Sequence, residues 1–336
     1  MRPRRRQPAG QVLVIGVSAL LLAALVNADA LVARADRKPF GPSRDRSLAI
    51  WHPVQDVSHV LQLYRIRQLG DWVSGNEAPG AAPTTTTTTT APGSGSTTTT
   101  LPPRPELRVP TVAAPLRVWL GGDSVIRDAS QSFLRIAGDD PRLSSVAHYE
   151  ISTGLTRPDF FDWPAALATD MAATDPEAVF IMFGANDSQG IVDADGTVFE
   201  DPMAPGWKLE YARRVGAVMD QLHAANRLVF WIGQPPMRDT GFDARMKALD
   251  AIYEHEAESR PWVVYVDTTP LFGNASGGFG DPELRKSDGI HLSQAGADLL
   301  AQHLLDLLDA ELPVPATTTT STAVGGSTTT TATTSG

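Results

Sequence analysis

Leu116-Arg117-Val118-Trp119-Leu120-Gly121-Gly122-Asp123-Ser124 reads as a short apolar strand running straight into a Gly-Asp-Ser turn, and a helical pattern through Phe133, Leu134 and Ile136 comes after it. A serine at the carboxyl end of a buried parallel strand lies where open α/β sheets place their chemistry. Ser124 is therefore a candidate nucleophile. Gly, Asp and Ser are also ordinary residues of a turn that caps a helix, so the assignment depends on three further groups in the chain: a base, an acid to orient it, and donors for an oxyanion.

Working outward, strand and helix patterns alternate. Apolar runs at 116–120, 146–151, 178–183, 228–232 and 263–266 read as strands, with helical periodicity around 125–137, 164–173, 209–225, 244–259 and 293–308. Continuous apolar strands between helices imply a mostly parallel sheet covered on both faces. The fold class is a three-layer α/β domain over residues 114–312.

The strand ends carry the polar residues. After the second strand stands Ser152-Thr153-Gly154, and after the third Gly184-Ala185-Asn186-Asp187. Glycine at such a turn lets backbone approach a ligand, and an Asn amide can donate to a developing oxyanion. Either motif alone is equally a plain turn. Before the last helix comes Asp288-Gly289-Ile290-His291. A carboxylate three residues before a histidine can reach Nδ1, leaving Nε2 free to take a proton; Asp288 would orient and His291 would act as base.

Gly122-Asp123-Ser124, Gly154, Gly184-Ala185-Asn186-Asp187 and Asp288-Gly289-Ile290-His291 together resemble, in order, the four blocks of the SGNH (GDSL-type) serine hydrolases. The resemblance covers the whole 114–312 domain. It implies a flavodoxin-like fold with a central, mostly parallel five-stranded sheet. It also implies a catalytic set of Ser124, His291 and Asp288, with an oxyanion hole made by the Ser124 and Gly154 amides and the Asn186 side chain. Val125 stands where the family usually has Leu or Ile, a mild departure. The wording of the blocks and the flanking segments look most like an extracytoplasmic bacterial branch, whose domains are sometimes joined to integral-membrane acyltransferases. A membrane acyltransferase partner is thus part of what the resemblance implies; no cofactor is.

Composition bounds the rest. The 336 residues include no cysteine, so disulfides and thiolate chemistry are excluded. The net charge of −10 is uneven: residues 1–113 carry 13 Lys+Arg against 7 Asp+Glu, whereas 114–312 carry 15 against 31. An acidic domain argues against nucleic acid as a partner. No complete metal-ligand spacing is present; Asp193-Ala194-Asp195-Gly196 opens like a calcium loop, but Val198 and Phe199 fill later ligand positions, and a hairpin turn at Asp195-Gly196 is the better reading. His148, His223, His255 and His303 read as surface or core histidines. Asn186-Asp187-Ser188 and Asn274-Ala275-Ser276 match the glycosylation tripeptide. The segment Arg157–Trp163 reads either as a sugar-contacting rim or as aromatic lids on the core.

The flanks address the membrane. Arg2, Arg4, Arg5 and Arg6 precede an apolar run from Val12 to Val26 that stretches to about Ala33. Basic residues before such a run keep the N-terminus in the cytoplasm and send the chain beyond the run across the membrane. Residues 1–33 are expected to be a basic stub and retained anchor, with cleavage near Ala28-Asp29-Ala30 as the alternative. Residues 34–75 read as a juxtamembrane amphipathic segment with helical spacing from Val54 to Val73. Residues 76–113, including Thr84 to Thr90, read as a disordered Pro/Thr-rich linker with a reach of roughly 120 Å, and 313–336 as a Thr-rich disordered tail. These features predict a membrane-anchored extracytoplasmic esterase acting on short acyl groups of an envelope glycan. The alternatives are an acyltransferase with the same acyl-serine and a non-catalytic glycan-binding module.

Overall fold

A computed structural model describes residues 9–36, 38, 42–61 and 102–313 of the chain. Its centre is a sheet of five parallel strands, β1 (Leu116–Gly122), β2 (Leu143–Tyr149), β3 (Ala178–Met182), β6 (Leu228–Ile232) and β7 (Val263–Val266), in the order β2-β1-β3-β6-β7. The short strands β4 (Ile191–Val192) and β5 (Val198–Phe199) form a separate antiparallel hairpin. It turns at Asp195-Gly196, as the sequence suggests, with Gly196 at φ +84°.

Alternation along the strands explains their unbroken apolar runs. Val118, Leu120, Phe180, Met182 and Phe230 face one way, into a core shared with α4 (Ser124–Ala137), the short α8 (Thr269–Phe272) and α9 (Gln294–Glu311). Trp119, Val179, Ile181, Val229 and Trp231 face the other, toward α5 (Trp163–Thr174), α6 (Pro205–Gln221) and α7 (Thr240–Glu258). Both faces are covered, so both sets of side chains must be apolar. The edge strand β2 departs from this pattern: it starts at Leu143, ahead of the apolar run at 146–151, because pairing of Leu116 with Leu143 through Gly122 with Tyr149 sets its extent. Apolar content does not, since Val146 is exposed.

The domain also begins earlier than its composition suggests. Residues 102–113, expected to belong to the linker, lie on the domain. Leu107 is buried in the core shared with α9, and the Arg108 guanidinium grips the Glu177 carboxylate at 2.6 and 3.0 Å and the Ala114 and Pro115 carbonyls at 2.6 Å. Leu107→Ala is expected to cost about 2 kcal/mol, and a chain starting at 114 should melt below one starting at 102. Equal melting temperatures would mean the segment adds nothing.

In the N-terminal part, α1 (Ala9–Val26) and α2 (Ala28–Asp36) divide the apolar run at Asn27, whose side-chain amide donates to the Ala23 carbonyl at 2.8 Å. No single described helix is long and apolar enough to cross a membrane; Gly16–Val26 and Ala28–Ala35 pass that test only as a pair bent by 71°. Helix α3 (Pro42–Val60) starts before the expected amphipathic stretch and holds Pro53 inside it. It packs on α2, where Asp29 accepts from Gln55 at 2.8 Å and meets His59 at 2.8 Å. The later positions of that stretch, Tyr64 to Val73, lie outside the described residues, as do most of the Pro/Thr-rich linker and the tail.

Candidate active site

In a sheet of this order, ligands bind outside the carboxyl ends of the two central strands where the winding reverses, here β1 and β3. Ser124 is the first residue of α4, directly after β1. The turn that presents it depends on Gly122, at φ +139°, because a Cβ there would stand 1.9 Å from the Met182 carbonyl oxygen. Asp123 caps α4, accepting the Val125 amide at 2.8 Å, and its second oxygen accepts the Gly184 amide at 3.2 Å. One buried carboxylate thus ties the end of β1 to the end of β3. Its burial raises its pKa to about 7, against the opposing pull of those amides and with the Asp187 carboxylate adding to the rise.

Across the cleft, the Ser124 hydroxyl lies 2.9 Å from His291 Nε2, and His291 Nδ1 lies 2.7 Å from Asp288 Oδ2. The three residues read from the sequence are brought into one relay. The loop that carries Asp288 and His291 is pinned at several points. Asp288 Oδ1 accepts the Ile290 and His291 amides at 2.8 and 3.0 Å, Lys286 donates its amide to the His291 carbonyl at 2.8 Å, and Gly289 makes the turn at φ +73°. Arg285, buried between Phe272 and Phe279, donates to the Ile290 and Pro236 carbonyls at 2.7 and 2.8 Å.

Partial burial would raise the Asp288 pKa, but the His291 hydrogen bond and the two amides outweigh it and hold the group at about 2, below the ordinary 3.8. A carboxyl whose folded pKa is depressed stabilises the fold above its unfolded pKa and loses that contribution as pH falls through the folded one. The stabilisation by Asp288 is therefore fully present above about pH 4 and disappears toward pH 2. Melting temperatures of wild type and Asp288→Asn between pH 2 and 5 should converge on acidification; parallel curves would contradict the assignment.

The remaining expected site residues come to the same edge. Gly154 is buried, and a Cβ on it would meet Asp187 Oδ1 at 2.3 Å, so the residue must be glycine for that carboxylate to pass behind the turn. Asn186 Nδ2 is buried without a hydrogen-bond partner among the described residues. The Ser124 amide, in the first turn of α4, has no intrahelical acceptor. Burial of Asn186 Nδ2 also removes it as a glycan acceptor, whereas Asn274 is exposed.

Of the segment Arg157–Trp163, Trp163 joins the core while Phe160 and Phe161 stay half-buried. Trp163 is fully buried against Phe183, Phe161 and His148, and its indole donates to Thr153 Oγ1 at 2.9 Å. Arg157 chelates Asp159 at 2.7 and 2.8 Å and reaches the Lys38 carbonyl at 3.1 Å. No group of three metal-ligating side chains occurs among the described residues. What sequence reasoning missed is the buried polar chain behind the site. Asp187 Oδ2 accepts the Tyr211 hydroxyl at 2.8 Å, Tyr211 meets Tyr253 at 2.8 Å, and Tyr253 donates to the Phe183 carbonyl at 3.0 Å. Both tyrosines sit on helix positions that read simply as core.

The parallel sheet in this order, with the blocks that resemble the SGNH (GDSL-type) hydrolases meeting at the carboxyl ends of its strands, is the arrangement that the resemblance implies. Residues 117–307 match the family described as protein of unknown function DUF459, and the chain belongs to that family. No curated protein matches the chain. Among solved structures it is similar to a lipase/acylhydrolase from Enterococcus faecalis, at 17% identity and TM-score 0.43 over 58% of this chain and 96% of that one. It is similar also to an α/β-hydrolase enzyme from the metagenome of Lake Arreo, at 18% identity and TM-score 0.44 over 58% and 96%. A catalytic mutant of an acetylxylan esterase from Geobacillus stearothermophilus aligns at 17% identity and TM-score 0.43 over 57% and 93%.

Proposed function

We propose that this chain is a serine-dependent carboxylic-ester hydrolase that works through an acyl-Ser124 intermediate. We further propose that it removes O-acetyl or other short acyl groups from a cell-envelope polysaccharide or peptidoglycan. The observation that supports the reading is the unbroken relay Asp288–His291–Ser124, at 2.7 and 2.9 Å, together with a buried Asn186 amide that has no partner among the described residues.

In that reaction Ser124 Oγ attacks the ester carbonyl as His291 Nε2 takes its proton. The Oγ–carbon bond forms, and the carbonyl oxygen gains negative charge facing the Asn186 amide and the Ser124 and Gly154 N–H groups. Collapse breaks the bond to the alcohol oxygen, which leaves with the proton from His291. Water then repeats the sequence on the acyl-enzyme, splitting one hard step into two easier ones. Asp288 holds the imidazole in the tautomer this needs and stabilises the imidazolium.

The basic stub and apolar run at the N-terminus support a domain held outside the cytoplasm on a membrane anchor, with the Pro/Thr-rich stretch as tether. The test is release of acetate from O-acetylated envelope glycan, alongside hydrolysis of p-nitrophenyl acetate, by the full chain. Release from both is expected. An acyl-enzyme that accumulates until a glycan acceptor is added would replace the hydrolase by a transferase, and failure to acylate any serine would overturn the reading.

A further inference from the structure

An oxyanion donor on a turn acts only if the turn is held still, and Arg214 on α6 sends its guanidinium to the turn after β2. Nη1 donates to the Leu155 carbonyl at 2.7 Å and the Thr156 carbonyl at 3.2 Å, and Nη2 donates to the Val192 carbonyl on β4. Its Nε donates to Glu210 at 2.8 Å, one turn earlier on the same helix. Both charged side chains are largely out of solvent, at 14% and 8% exposure.

The Leu155 carbonyl and the Thr156 amide belong to one planar peptide. Arg214 takes its oxygen, and the buried Asp187 takes its N–H at 2.8 Å together with the Thr156 hydroxyl at 3.0 Å. A cation and a carboxylate thus hold opposite ends of a peptide just beyond Gly154. On the other side of Gly154, the Thr153 hydroxyl donates to the Glu150 carbonyl at 2.6 Å and accepts from Trp163. Resting on the esterase reading, we propose that Arg214 is a positioning residue of the oxyanion hole, fixing the Gly154 amide by clamping the turn behind it to α6 and to the β4–β5 hairpin.

Four acceptors in different directions require the five-donor fork of arginine; a lysine ammonium cannot span them. Asp187 also places a carboxylate directly behind the oxyanion donors, where its charge would oppose a developing negative oxygen. The Arg214 charge, on the far side of the same peptide, offsets that opposition.

The test compares the full-length wild type with Arg214→Lys, Arg214→Met and the more exposed neighbour Arg213→Met. Each is assayed on p-nitrophenyl acetate and for inhibition by phenylboronic acid, whose tetrahedral adduct on a serine places an oxygen in the oxyanion hole. For Arg214→Lys the expected result is a kcat/KM about tenfold to a hundredfold lower, carried by kcat, with boronate affinity reduced in proportion and the unfolding temperature within a few degrees of wild type. Arg214→Met should lose at least as much, and Arg213→Met should behave as wild type. If Arg214→Met fails to fold, Arg214→Lys, which keeps the charge, decides alone. Wild-type activity in Arg214→Lys, a loss residing in KM, or a loss that leaves boronate affinity unchanged would each overturn the inference while the esterase reading stands. A wild type that neither hydrolyses the ester nor binds the boronate would overturn both.

Discussion

Ser124→Ala is expected to reduce ester turnover by roughly 10⁴- to 10⁶-fold, the size of loss found when a member of a serine triad is removed and the oxyanion donors and binding groups remain. His291 Nε2 faces the Ser124 hydroxyl at 2.9 Å, so without Oγ the base has no nucleophile in the chain to deprotonate. The fold should be little affected, because the change removes one hydroxyl whose hydrogen bond is worth about 1 kcal/mol, and the turn that carries it is set by Gly122 and Asp123. A fluorophosphonate probe followed by peptide mass mapping checks the assignment directly: Ser124 should carry the adduct in wild type, and Ser124→Ala should carry none. An adduct on another serine, such as Ser130 or Ser132 on the same helix, or retained turnover, would remove Ser124 from the mechanism.

The contact between Ser124 and His291 was legible in the sequence because Ser124 directly follows an apolar strand, His291 stands just before the last helix, and the ordered blocks around them resemble one known family. Asp288 and His291 lie three residues apart in one short loop, so their contact at 2.7 Å is nearly a local matter. The three-layer architecture was legible for a related reason: a strand buried on both faces, such as Phe180 and Met182 on one side and Val179 and Ile181 on the other, leaves a continuous apolar run. Properties that depend on distant partners left no such trace. Leu107 is one of several apolar residues, with Leu101, Val109 and Val112, in a Pro-rich stretch, and only its seat in the core shared with α9 sets it apart. The extent of β2 is set by its register with β1. Gly154 needs to be glycine because of a carboxylate more than thirty positions away, and Arg214 reads as one of two adjacent basic residues on an amphipathic helix until its carbonyl partners are known. The helix bend at Asn27 belongs with these: hydropathy runs across it, while the side-chain amide shares the Ala23 carbonyl with the Asn27 backbone N–H, a back-bond of the kind that bends helices.

Asn186→Ala carries a sharper expectation than a loss of activity, because it combines two effects of opposite sign. Asn186 Nδ2 is buried and donates to nothing among the described residues, and a buried donor without a partner costs roughly 1–3 kcal/mol of desolvation in the resting protein. In the transition state the same nitrogen would meet the oxyanion, and loss of one such donor raises the barrier by about 2.7–4 kcal/mol. The variant should therefore turn over ester about 100 to 1,000 times more slowly while melting no lower than wild type, and above it if the neighbours close the gap. That combination separates an oxyanion donor from an ordinary structural amide, whose removal would lower the melting temperature and leave the rate on surviving molecules unchanged. Asn186→Asp sharpens the comparison: it preserves size but puts an acceptor where charge develops, with the Asp187 and Asp123 carboxylates already buried nearby. It should be at least as slow as Asn186→Ala and less stable, since the new carboxyl adds a third acidic group to a site that holds the other two above their ordinary pKa. Equal turnover in Asn186→Ala and wild type would leave the buried amide without a role in the reaction and shift the oxyanion hole to the Ser124 and Gly154 amides alone.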